Sequence, residues 1–200
     1  MSLLELIAAA DERGLAASAV ACLDRCLPQP AEDSDPDPLR PLRAGCADGS
    51  GWPDRLAEVR AALEELLEAT DGTSALSRKL LDAAPRDFSA APLRAWADVC
   101  SLAVLEIHCR FDAQGVAEVE AKSESEDRTE LLNRCRTEGP EGAGPLLAGE
   151  LRRQIRILEI LAETTDTVGG GAALRRVLDL STEGRRVLRA AVSRQARGRA

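Results

Sequence analysis

The sequence predicts an all-α fold, a single-domain irregular helical bundle of about eight or nine helices over residues 1–200. Three observations predict it. Ala and Leu supply 63 of the 200 residues, against 15 for Val and Ile together. Tyr is absent and Phe and Trp number two each, so the β-branched and aromatic side chains that suit a pleated sheet are scarce. Apolar residues recur at steps of three and four along several segments, which is the spacing of one helix face.

The first helix is announced by a capping box, Ser2 with Glu5 ahead of Leu6 and Ile7. Gly14 reads as a stop or bend, and a second helix is expected over 15–27, ending against Pro28. Its apolar stripe holds Leu15, Ala19, Cys22, Leu23 and Cys26. Residues 28–53 contain six of the ten prolines and the run Glu32-Asp33-Ser34-Asp35-Pro36-Asp37, a Pro/Asp-rich loop with one short helical turn expected around 39–46.

Helix three is expected over 53–69, with Pro53 in its first turn and Leu56, Val59, Leu63, Leu66 and Leu67 on one face. Asp71-Gly72 ends it, and a fourth helix follows over 74–84. The segment 92–113, capped by Ser89, is apolar on nearly every side and is expected to form the central spine. Residues 116–137 read as a polar, exposed helix, and Gly139–Gly144 as a break. Leu147, Leu151, Ile155, Leu158 and Leu161 stripe a seventh helix over 145–164. Gly169-Gly170-Gly171 reads as a turn before a helix over 172–180, and Ser181 as the cap of a basic C-terminal helix over 182–197.

The net charge of −8 is unevenly spread. Residues 1–100 hold 18 acids and 10 bases; from Gly171 onward eight arginines face only Asp179 and Glu183. A chain this acidic repels nucleic acid over most of its surface, so a nucleic-acid partner is not expected. No apolar run reaches the ~18 residues of a membrane span, and the N-terminus lacks the basic flank of a secretion signal. Six cysteines without an export signal point to reduced thiols in the cytoplasm, filling small apolar gaps.

Chemistry-bearing residues are few. His108 is the only histidine, and Asp112 four residues on could orient its ring; Cys26 or Cys135 from another helix would complete a Cys-His-Asp set. Cys22 and Cys26, at i and i+4, could clamp a metal with His108 or Cys100. No Gly-rich phosphate-binding motif is present, and no cofactor is expected. On the last helix Arg185, Arg186, Arg189 and Arg194 flank a narrow apolar strip and form a candidate partner-binding face. That face could also pack on the acidic half of its own chain. The expected function is therefore that of a protein acting through protein–protein contacts or self-association: an adaptor, regulator or immunity-type binding protein. The alternative is an enzyme or a small-molecule or metal-binding module with a pocket around the 92–113 helix.

Overall fold

In the computed structural model, residues 1–27, 37–68, 73–113, 123–163 and 167–198 are described. They form nine helices in order: α1 (Leu3–Ala9), α2 (Glu12–Cys26), α3 (Arg40–Gly45), α4 (Trp52–Glu68), α5 (Thr73–Asp82), α6 (Ala90–Ala113), α7 (Ser123–Glu138), α8 (Pro145–Ala162) and α9 (Thr167–Gly198). The all-α bundle expected from composition is the fold observed. No helix among the described residues is long and apolar enough to cross a membrane. The acidic run at 32–37 falls outside the described residues except for Asp37, and so does the start of the predicted polar helix at 116–122.

Local chemistry sets the first boundaries. Ser2 and Glu5 exchange the two hydrogen bonds of the capping box at the start of α1. Asp11 then caps α2 by accepting from the Gly14 N–H at 2.7 Å. Gly14 thus sits inside the first turn of α2 and does not end a helix, as its identity had suggested.

The centre of the bundle is α2. Every residue from Gly14 to Cys26 is buried, because small Ala side chains let neighbours approach on all sides. The helix packs mainly against α6, α9, α8, α5 and α3. The 92–113 helix shares that centre, as expected: α6 packs on α2 and α8, touches α1, α5, α7 and α9, and buries Trp96, Cys100, Val104 and Leu105, although Leu102, Ile107 and Phe111 are only partly covered. The stripes of α4 (Leu56, Val59, Leu63) and α8 (Leu147, Leu151, Leu158, Leu161) are consumed by this interior.

Three of the four aromatic side chains gather at one end of the core. Trp52 stands edge-on to Phe88 and Trp96, with ring centroids 5.2 and 6.0 Å apart. Their indole N–H groups donate to Pro85 O and Leu80 O, each at 2.8 Å. Phe88 lies over Gly49, whose φ of 72° and close cover both exclude a side chain.

The largest departure from the sequence reading is α9. Residues 172–180 and 182–197 belong to one continuous helix, and Ser181 lies buried in its middle. Ala173, Val177 and Ser181 all face inward, so packing carries the helix past Gly171 and past the supposed cap.

Candidate functional site

Two features stand out: a polar network sealed inside the bundle and an arginine-bearing outer face on α9. The network begins on α2, where Asp24 and Arg25 are both 2% exposed. Arg25 meets Glu150 of α8 at 2.8 Å, with both side chains fully enclosed. Its remaining N–H groups donate to Ala21 O at 2.8 Å and to Cys22 Sγ at 3.3 Å. Glu150 also accepts from Arg153 at 2.7 Å and from Gln154 at 3.0 Å. The Ser101 hydroxyl of α6 donates to Gln154 Oε1 at 2.6 Å.

A second branch starts at Ser181, which receives a long 3.5 Å bond from Arg25 Nη1 and lies 2.7 Å from Asp24 Oδ2. Asp24 in turn pairs with Arg43 of α3 at 2.7 Å and Arg185 of α9 at 3.5 Å. Five helices are thereby tied through one set of charges. Gly184 makes room for it, since a Cβ there would stand 2.6 Å from Arg25 Cδ and 3.0 Å from Arg153 Cδ.

These charges balance each other against desolvation. Burial disfavours the Glu150 carboxylate, but Arg25, His108 and Arg153 outweigh burial and hold its pKa below the usual value. Burial likewise opposes the Arg25 charge, and Glu150 overcomes that penalty and raises its pKa.

His108 of α6 is fully buried beside this network. Its Nδ1 lies 2.8 Å from Val104 O; a carbonyl only accepts, so Nδ1 carries the proton. Burial lowers the His108 pKa despite Glu150 and the Val104 carbonyl. Near neutral pH the ring is uncharged, and its bare Nε2 faces Glu150 Oε2 at 3.8 Å with no hydrogen-bond partner. Only in acid, once protonated, does it join Arg25 and Arg153 in favouring the Glu150 carboxylate.

The proposed Cys-His-Asp arrangement is not assembled. Asp112 turns away from His108 and caps α8, accepting from the Leu146 and Leu147 N–H groups at 3.1 and 2.8 Å. With Nδ1 on Val104 and Nε2 unpartnered, neither Cys26 nor Cys135 bonds to the ring. Burial pushes the Cys22 thiol up to about 11 and the Cys46 thiol up to about 12, and raises Cys26, Cys100, Cys109 and Cys135 as well. These are protonated packing groups, not thiolate nucleophiles. Among the described residues, no three His, Cys, Asp or Glu side chains converge as metal ligands, so Cys22, Cys26 and His108 do not form the clamp their spacing suggested.

A space of about 10 Å³ beside Cys22, Arg25, Ser101 and Gln154 has room for about one water. A larger groove of about 260 Å³ at the end of α8 is lined chiefly by Leu6, Ala10, Leu158, Leu161 and Ala162.

The four arginines singled out on the last helix divide. Arg185 points inward to Asp24, whereas Arg186, Arg189 and Arg194 are exposed. Arg197 joins them on the outside. None of these four makes an ion pair among the described residues. No sequence signal pointed to the roles of Glu150 or Gly184, because Arg25, against which both stand, lies on another helix more than a hundred residues away. No protein-family model, curated protein or solved structure matches the chain.

Proposed function

We propose that this chain is a helical binding protein, of adaptor, regulator or immunity type, that acts by docking the arginine face of α9 onto an acidic protein surface. The observation that carries this reading is the contrast within one helix. Arg185 is neutralised by Asp24 of its own chain, while Arg186, Arg189, Arg194 and Arg197 stand exposed, with no acidic residue in the helix after Glu183. In a chain with a net charge of −8, such a face is attracted to an oppositely charged protein and repelled by little on its own helix. The reactive groups support the same reading from the other side: His108 and the cysteines are enclosed and serve packing and hydrogen bonding. A reducing compartment such as the cytoplasm suits six unpaired thiols.

The test is affinity capture from source-cell extract by the full chain and by an Arg186→Glu/Arg189→Glu/Arg194→Glu variant, each with and without nuclease. The expected result is a protein retained by the wild type, lost from the variant and lost at high salt, whatever the nuclease treatment. Equal capture by both proteins, or capture abolished by nuclease, would overturn the reading.

A further inference from the structure

We infer that the acidic surface recognised by α9 includes the outer face of α4 on a second copy of the same chain, so that copies associate through these two unlike faces. The inference rests on the reading of α9 given above and names a partner for it.

The outer face of α4 exposes Asp54, Ala57, Glu58, Ala61, Ala62 and Glu64. Its two arginines are turned elsewhere. Arg55 donates to Ser50 O and Pro41 O, and Arg60 donates to the carbonyls of Leu81, Asp82 and Ala84, closing the end of α5. The carboxylates at 54, 58 and 64 make no ion pair among the described residues. What α4 presents outward is therefore carboxylates set among alanines.

The exposed end of α9 has the complementary composition: Arg186, Arg189, Arg194 and Arg197 set around Ala190 and Ser193. The two faces match in length. At the helical rise, 54 to 64 spans about 15 Å and 186 to 197 about 16 Å. Small residues between the charges let two helices approach to roughly 8–10 Å with the long arginines reaching across. Within one copy the faces do not meet, because α4 packs chiefly on α3 and α5, and α9 on α2, α8 and α6. Where the geometry lets both faces of one copy meet both faces of the other, the contact closes as a two-fold dimer; otherwise it propagates into short chains or closes into a ring. Exposed pairs of this kind are individually weak and are screened by salt.

Sedimentation velocity of the full chain over a concentration series tests this, at about 0.01 M salt, where the Debye length is about 30 Å, and at about 1 M, where it is about 3 Å. The wild type is expected to sediment faster with concentration at low salt and to return to monomer at high salt. Variant A carries Arg186→Glu, Arg189→Glu and Arg194→Glu; variant B carries Asp54→Arg, Glu58→Arg and Glu64→Arg. Each alone presents like charges on both faces and stays monomeric, with its helical content and melting temperature retained because all six positions are exposed. Mixed, each variant faces the opposite charge on the other, and association returns. A wild type that remains monomeric at low salt, a variant B that still associates, or a mixture that fails to associate would each overturn self-association through α4. Loss of a captured protein partner from variant A with a monomeric wild type sinks only this inference; capture unaffected in variant A sinks the reading of α9 itself.

Discussion

Arg25 and Glu150 meet at 2.8 Å with neither side chain exposed to solvent. Removing one partner leaves the other charge buried and unpaired, which costs about 3–5 kcal/mol in comparable sites. Glu150→Gln keeps the shape and some hydrogen bonds yet leaves Arg25 without its counter-charge. It is therefore expected to lose about 3 kcal/mol or more in urea-induced unfolding. The double replacement Arg25→Met/Glu150→Met removes both charges together, and its cost is expected to fall below the sum of the two single changes. Additive losses would show that the two side chains are not coupled.

Two glycines on α9 separate steric from conformational effects. Ala is preferred over Gly inside a helix by about 1 kcal/mol. Nothing lies within 4 Å of a Cβ at Gly171, so Gly171→Ala is expected to raise the melting temperature. At Gly184 a Cβ would stand 2.6 Å from Arg25 Cδ. That side chain is held by Glu150 and by Ala21 O and has little freedom to yield. Gly184→Ala is expected to cost about 1–3 kcal/mol, overpacking outweighing propensity. Thermal melts of the two variants with opposite shifts would bear this out; matching shifts would contradict the close approach of α9 to the network.

These same positions show what a sequence makes legible. Stripes of large apolar residues identified α4, α6 and α8 as helices, since Leu, Val and Ile declare which face is buried. Alanine makes no such declaration, because it fits the surface and the interior equally. The central place of α2 was therefore hidden behind a single apolar stripe. Ser181 and Gly169–Gly171 carry local signals of helix ends, but burial of Ala173, Val177 and Ser181 against neighbouring elements overrides them. The candidate site was the least legible part. Asp112 sits at the right spacing to serve His108, yet two free N–H groups at the start of α8 are stronger claimants, and the sequence holds no mark of which helices become neighbours.

The cap itself is testable through Gly144. A Cβ at Gly144 would fall on the Asp112 carboxyl group, so Gly144→Ala and Asp112→Ala attack one interaction from two sides. Asp112→Ala is expected to cost about 1–2 kcal/mol through the loss of two charge-assisted bonds at a helix N-terminus. Gly144→Ala is expected to destabilise in the wild type and far less in the Asp112→Ala background, where the carboxyl group it collides with is gone. Equal effects of Gly144→Ala in both backgrounds, measured by chemical unfolding, would remove Asp112 from the role of cap.

Stability should fall in two stages as the solution is acidified. His108 has its pKa lowered in the folded protein from an ordinary 6.5, with burial as the main cause. Below about pH 6.5 the unfolded chain takes up a proton that the folded chain resists, so the free energy of unfolding drops, by at most about 1.4 kcal/mol for each pH unit. This continues until the folded histidine titrates as well. Glu150 acts later. Its carboxylate stays ionised below its ordinary 4.5 because Arg25, His108 and Arg153 outweigh the effect of burial. Its contribution is present above that value and is lost as the pH falls through the folded-state pKa. Urea unfolding measured from pH 8 to 4 is expected to show the first decline in the wild type and a flattened profile between pH 7 and 5 in His108→Gln. If the variant keeps the full slope in that interval, His108 is not the group that responds, and its neutral placement beside Glu150 is wrong.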